Sequence, residues 1–316
     1  MSGKIATRTA YGEVLAELAE KYPQLVVLDA DLSGATMSKL FAVSCPARFF
    51  NCGISEGNMT GIAAGLATCG YKPFTNTFAI FATGRAYEQI RNSIVYPHLN
   101  CTIVGTHGGV SVGEDGATHQ CIEDLALMRA LPGMLVCCPC DGHETRLAVD
   151  ALINYNGPAY LRLSRPETEI FTDEISDYSF TLGKGAVLRD GTDATVIATG
   201  IMVGMALKAA DMLKNEGISL RVIDIHTIKP LDNELIIKAA KETGCIITAE
   251  EHSIIGGLGS AVCELLSATC PVPVLRLGVN DQFGRSGKAN EVLDYFSLNP
   301  EGIAEKVREA VKLKKM

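Results

Sequence analysis

The sequence predicts two three-layer α/β domains, the first built on a mostly parallel sheet and the second smaller. Three observations predict it. Apolar runs of strand length alternate with stretches of helical periodicity along the chain, the pattern of strand and helix units stacked on a parallel sheet. A length of 316 residues exceeds what one compact core usually takes. One stretch, RPETEIFTDEISDYSFTLG, interrupts the alternation with acidic text that opens on a proline and holds no long periodic segment. The domains are accordingly expected at 1–166 and 184–316, joined by a linker at 167–183.

Residues 10–21 (AYGEVLAELAEK) repeat apolar positions at helical spacing, and QLVVLDADL after them reads as a buried strand ending in two acids. A helix over GISEGNMTGIAAGLATCG follows, then strand-like KPFTNTFAIFA and helical GRAYEQIRNSIVY. CTIVGTHGGVSVGEDGATHQ starts as a strand and becomes a polar, glycine-rich loop ahead of the helix IEDLALMRAL. The strand MLVCCP, the helix GHETRLAVDALIN and the strand AYLRLS complete the first domain. Beyond the linker, DATVIATGIMVGMALKAADMLKNEGISLRVIDIHTIKPLD is a strand, helix, strand unit, and GCIITAEEHSIIGGLGSAVCELLSA is a strand, a glycine-rich turn and a helix. Ligands on parallel sheets gather beyond the carboxyl ends of strands. Asp31, Phe78, His107 and Arg165 all lie near such ends.

Composition narrows the function. Hydrophobic residues at 47% and charged ones at 20% describe an ordinary globular protein. No charge-free apolar stretch reaches the ~18 residues that a membrane span needs, and MSGKIATRTAYGEV lacks the apolar centre of a signal peptide. A cytoplasmic protein without membrane partners is expected. Eleven cysteines without framework spacing, several in apolar runs such as MLVCCPC, fit reduced thiols. Cys137, Cys138 and Cys140 are set too closely for a zinc pair, so no metal ligands are expected in this chain. A net charge of -8 argues against a nucleic-acid partner. Small anions remain possible ligands, because a few local arginines can bind them. Neither ATGIMVG nor GGLG forms the glycine fingerprint of a dinucleotide site.

Two segments gather the chemistry. In residues 53–70 a single carboxylate, Glu56, heads a run of small and apolar residues with glycines at 57, 61 and 65. On a helix these glycines share one stripe where a backbone or a cofactor can come close, and each costs the helix about 1 kcal/mol relative to Ala. Glu56 reads either as an acid complementing the helix dipole or as a group facing whatever approaches. Residues 105–120, GTHGGVSVGEDGATHQ, place His107, His119 and two acids among five glycines. The histidines have no metal-motif spacing, and they suit hydrogen bonding or proton transfer to hydroxyls, with an ordinary pKa near physiological pH.

The combination resembles the C-terminal section of transketolase, a pyrimidine-binding domain followed by the family's final domain. The motifs that carry it are ATR at 6–8, DADLS at 29–33, ISEGNMTGIAAGLA, TFAIF at 77–81, VGEDGATHQ at 112–120 and LSRP at 163–166, in family order over about half the chain. The resemblance implies thiamine diphosphate as cofactor and transfer of a two-carbon ketol unit from a ketose phosphate to an aldose phosphate. It places Glu56 against N1′ of the aminopyrimidine, as a desolvated carboxylate with a raised pKa that shares a proton with the ring. Phe78 and Phe81 supply the apolar face under that ring, and Asp31 lies near the thiazolium. His107, Asp115 and His119 surround the sugar hydroxyls, and Arg8 with Arg165 meet the distal phosphate, where a planar guanidinium offers a bidentate fork.

Departures from the family pattern affect specificity. Gly57 stands where a polar residue is frequent, Ala35 near a position often taken by a phosphate-binding serine, and Gly84 where an aromatic is frequent. The G-D-G motif that holds the diphosphate and Mg2+ is absent, since the Asp-Gly pairs at 115, 141 and 190 follow Glu, Cys and Arg. A separate N-terminal subunit carrying that motif is therefore implied, with two copies of each chain in a heterotetramer. Three other readings compete: the β subunit of a 2-oxo acid dehydrogenase E1 component, a 1-deoxyxylulose-phosphate synthase relative, and a non-catalytic stabilising subunit. GEDGATHQ and LSRP favour sugar transfer over the first, the second normally keeps its domains in one chain, and Glu56 with both histidines argues against the third.

Overall fold

Val26 and Leu28 point to one side of the strand Leu25–Asp29, and Leu25 and Val27 to the other, yet all four are buried. A strand apolar on both faces belongs inside a sheet covered by helices on both sides. The computed structural model describes residues 3–176 and 178–314, and its first sheet has seven strands in the order Thr227–Lys229, Leu135–Cys137, Ala159–Arg162, Thr102–Thr106, Lys72–Phe78, Leu25–Asp29 and Phe49–Asn51. All neighbours are parallel except the first strand, which pairs antiparallel with Leu135–Cys137. One face packs Leu25, Val27, Phe74 and Val104 beneath the helices Thr7–Leu18 and Gly142–Asn154. Asp141 caps the second of these helices by accepting Glu144 N at 2.9 Å.

The second sheet runs Val274–Val279, Ile246–Ser253, Ala194–Ala198, Leu220–Asp224 and Ala186–Arg189, parallel but for its last strand. Val196, Val222 and Ile247 pack with the helix Met202–Lys214 and the helix Pro300–Lys314. Ile197, Ile223 and Ile246 face the other way, into the same apolar layer that covers Val26, Leu28 and Ile103 of the first sheet. The two sheets therefore share one continuous core layer.

Three expectations change. The strand Thr227–Lys229 follows the second sheet's Leu220–Asp224 in the chain yet joins the first sheet. The segment expected as linker starts with the strand Glu167–Glu169, paired antiparallel with Lys4–Ala6, and Asp141 accepts from Phe171 N and Thr172 N at 2.9 Å each. The segment 84–96, expected as one helix, is wound as π-helical turns at Phe81–Arg85 and Ile90–Val95 around a single α-turn at Tyr87–Gln89. Among the described residues no helix is long and apolar enough to cross a membrane, and all eleven cysteines are free thiols.

Candidate active site

The turn leading into the helix Glu56–Thr68 is held by Asn51, which accepts from Gly53 N at 3.0 Å and donates to Asp31 Oδ1 at 3.1 Å. Glu56 is the first residue of that helix and only 2% exposed. Its Oε1 accepts from Arg85 Nη1 at 2.7 Å. The Arg85 guanidinium also lies over the Phe81 ring, 4.5 Å from its centroid. Phe81 and Phe78 are nearly parallel, with centroids 6.0 Å apart. His107 sits 4.0 Å from Phe78, and His119 meets Phe81 edge-on at 5.5 Å. Glu56, Phe78, Phe81, His107 and His119, all expected from sequence, thus form one contiguous group.

Arg85 is the member that sequence reasoning missed. Inside GRAYEQIRNSIVY it reads as part of a solvated helix face, and nothing in the residue pattern marks the π-helical turn that separates it from Phe81 by four positions. Such turns recur at functional sites.

A second group adjoins the first. Arg8 Nη1 donates to the Ala35 carbonyl at 2.6 Å and its Nε to the Arg165 carbonyl at 3.4 Å. Arg165 Nη1 donates to the Val112 carbonyl and to Glu114 Oε2 at 3.3 Å, with Asp115 Oδ2 at 4.0 Å. Burial and the charge of Arg165 lower the Arg8 pKa. Burial, Arg8 and Arg165 push His107 down to about 3.

This corrects the expectation of an ordinary imidazole at position 107. His107 is buried at 3% exposure in a left-handed backbone conformation, with Nδ1 2.9 Å from Thr106 Oγ1. It is neutral at physiological pH and can donate or accept a hydrogen bond without carrying charge. Because the unfolded ring protonates near its ordinary value of 6.5 and the folded one only near 3, its stabilising contribution is complete above 6.5 and is lost as pH falls toward 3, with a slope of at most about 1.4 kcal/mol per pH unit. Nuclear magnetic resonance of the His107 ring is expected to show no titration between roughly pH 5 and 8, the range where an unperturbed imidazole ionises. A midpoint inside that range would contradict the burial argument.

The two acids that end the strand run QLVVLDADL, Asp29 and Asp31, sit in different surroundings. Asp29 is fully buried and accepts from Leu32 N at 2.6 Å, Thr36 Oγ1 at 2.8 Å and Ser38 Oγ at 2.9 Å, so it is the strand-end acid that holds the turn. Asp31 is exposed, with φ 65°. Asp115 is exposed as well, and His119 is partly exposed with Nδ1 2.9 Å from Thr118 Oγ1.

The loop 105–120 is fastened from the second sheet's side. Ser111 N donates to Glu251 Oε1 at 2.5 Å, and Gln120 Nε2 donates to the Val110 and Arg285 carbonyls at 2.9 Å each. Gly116 has φ 72°, and a Cβ there would collide with Ser286 Oγ. Only glycine fits both that conformation and that approach. Among the positions that depart from the family pattern, a Cβ at Gly57 would lie 3.3 Å from Gln89 Oε1, whereas Gly84 has room, with Ile80 Cδ1 at 3.7 Å. Gly61 and Gly65 face open space, since a Cβ at either would meet nothing within 4 Å among the described residues.

A flat N–H-bearing group resting on Phe81 while it donates to Glu56 is what Arg85 supplies, and an aminopyrimidine ring has the same requirements. The fold and this arrangement define a two-domain α/β protein whose first domain sets a buried carboxylate beside a pair of aromatic rings. Residues 3–169 match the family "Transketolase, pyrimidine binding domain" and residues 183–303 match "Transketolase, C-terminal domain". The chain belongs to the transketolase family, whose pyrimidine-binding domain implies thiamine diphosphate. It is 50% identical over 306 residues to a putative transketolase C-terminal section of Methanocaldococcus jannaschii, covering 96% of each chain. It is 42% identical over 309 residues to one subunit of an apulose-4-phosphate transketolase of Phocaeicola vulgatus, covering 98% of each. With human transketolase it shares 41% identity over 307 residues, but spans 49% of that protein. A solved structure described as a split gene transketolase, inactive beta4 tetramer, matches with a TM-score of 0.90 and 50% identity over 99% of this chain and all of the other.

Proposed function

We propose that this chain is the subunit of a split transketolase that holds the pyrimidine end of thiamine diphosphate and binds the sugars, moving a two-carbon ketol unit from a ketose phosphate to an aldose phosphate. The observation that carries this reading is the buried Glu56 carboxylate, joined through the Arg85 guanidinium to the Phe81 ring, which lies nearly parallel to Phe78. When bound, thiamine diphosphate supplies a nucleophilic thiazolium carbon. The chain's own residues do the rest. Glu56 accepts a hydrogen bond from the ring, Phe78 and Phe81 exclude water from its face, and Asp31 lies beyond the turn that leads to Glu56. His107, as a neutral imidazole, and His119 hydrogen-bond substrate hydroxyls, with Asp115 at the mouth.

Arg8 and Arg165 bind the substrate phosphate. The charge of Arg165 disfavours that of Arg8, and a phosphate between them relieves the repulsion. Arg165→Ala is expected to raise KM for phosphorylated acceptors roughly ten- to a hundredfold, the worth of one charge-assisted hydrogen bond at about 1.5 to 3 kcal/mol. Unphosphorylated acceptors serve as the control. An equal loss for both kinds of acceptor would show that Arg165 acts by holding the Val112 carbonyl in place.

The diphosphate and Mg2+ are held by a second, N-terminal subunit, in an assembly of two copies of each chain. The relatives described as a C-terminal section and as one subunit of a transketolase support this reading. The open Gly61 and Gly65 positions, flanked by Ile62 at 40% exposure, form a face suited to close approach of another chain. A cytoplasmic setting agrees with the free thiols. Titration calorimetry with thiamine diphosphate and Mg2+ tests the division of labour. The chain alone is expected to bind weakly and turn over nothing, and addition of the diphosphate-holding subunit to restore both. Micromolar affinity with turnover by this chain alone would overturn the split reading.

A further inference from the structure

Between the two sheets, away from the Glu56 site, lies a buried group of three ligand-type side chains. Cys140 follows the first sheet's strand Leu135–Cys137, Glu144 is in the first turn of the helix Gly142–Asn154, and Asp224 ends the second sheet's strand Leu220–Asp224. One ligand atom from each lies within 4.8 Å of the other two, and all three residues are buried at 1% exposure or less. Asp224 takes no hydrogen bond from outside the group among the described residues, and the side chains its carboxyl meets are Glu144 and Cys140 themselves. Glu144, by contrast, accepts from Cys140 N at 2.6 Å and from the Tyr178 hydroxyl. Asp141 nearby is fully occupied as a helix cap and by Phe171 N and Thr172 N. Burying two carboxyl groups against each other is costly when both are ionised, and interiors meet that cost with a shared proton or a metal ion.

We propose that Cys140, Glu144 and Asp224 bind one zinc-like divalent cation that clamps the two sheets together. A thiol beside two carboxylates selects a borderline-soft ion such as Zn2+ or Co2+ over Mg2+ and Ca2+, which take oxygen ligands alone. The cation neutralises the two carboxylates, and the thiol proton leaves to solvent when sulfur ligates. The close spacing of Cys137, Cys138 and Cys140 argued against a zinc pair among those cysteines. The completing ligand comes from a distant strand, which spacing cannot reveal. A site with ligands from both sheets acts on their docking, distinct from the Mg2+ expected on a partner subunit.

Co2+ added to the chelator-stripped full chain, and to the chain refolded in its presence, is the test. Binding of one Co2+ per chain is expected, with thiolate-to-cobalt absorption and a raised unfolding midpoint. Cys140→Ala should lose the absorption and Asp224→Asn the stoichiometric uptake, with each variant keeping the wild-type circular dichroism. Absorption that survives in Cys140→Ala would come from exposed thiols such as Cys69 and would overturn the site. No uptake even on refolding, with Asp224→Asn as stable as the parent or more so, would also overturn it and leave Glu144 and Asp224 sharing a proton.

Discussion

Glu56→Gln is expected to lower the turnover of the assembled enzyme by roughly 10²- to 10⁴-fold, the range for loss of a positioned acid–base group, while the fold is retained. The amide keeps the shape of the side chain and can accept a hydrogen bond, but it cannot hold the shared proton that a carboxylate takes from a ring nitrogen. Its burial makes the difference sharper, because water cannot substitute at a residue 2% exposed. The same change loosens Arg85, because an amide oxygen can accept from its Nη1 but carries no charge to pair with the guanidinium over Phe81. Exchange of the thiazolium C2 proton in the holoenzyme reads the effect ahead of sugar chemistry. Wild-type exchange in Glu56→Gln would remove Glu56 from the proposed role.

The second large effect concerns stability. Arg162, on the strand Ala159–Arg162, is 2% exposed and donates from Nε to Asp124 Oδ2 at 2.8 Å and from Nη2 to the Glu251 carbonyl at 2.8 Å, while Tyr160 Oη donates to the same Asp124 oxygen at 2.7 Å. Breaking one partner of a buried ion pair leaves an uncompensated charge and typically costs about 3 to 5 kcal/mol. Arg162→Met is expected to show that loss in urea unfolding followed by circular dichroism. An unchanged midpoint would mean that the Asp124 charge is met some other way. A Cβ at Gly108 would collide with Arg162 Nε, so the guanidinium also supports the loop that carries His107, and the variant should lose activity before it unfolds.

Sequence patterns reveal what local physics decides. The helix Gly142–Asn154 is read with its full bounds because the Asp141 cap sits directly before its apolar periodicity. Leu25–Asp29 is read as buried because its apolar run is continuous. Contacts between distant segments are hidden from such reading. Thr227–Lys229 is three residues long and owes its place to an edge offered by Leu135–Cys137, and the π-helical turn at Phe81–Arg85 has no periodic signature. At the site the resemblance picks out Glu56, Phe78, Phe81 and His107 as a group. Arg85 escapes it, as does the pKa of His107, which depends first on burial and then on how Arg8 and Arg165 converge from opposite ends of the first domain. Glu251, which pins Ser111 from the second sheet, escapes for the same reason.

The core layer common to both sheets, with Thr227–Lys229 threaded back onto the first, bears on how this chain could be dissected. Cutting it in the segment before Ala186 would yield no two autonomous modules. The N-terminal piece would lose its outermost strand, baring the backbone donors and acceptors of Leu135–Cys137, and would expose the apolar surface of Val26, Leu28 and Ile103 that residues such as Ile197 and Ile223 help to cover. Fragments of that kind aggregate rather than persist. A chimera that exchanges the second half for a relative's would have to carry the Thr227–Lys229 strand and its complementary surface as one inheritable unit.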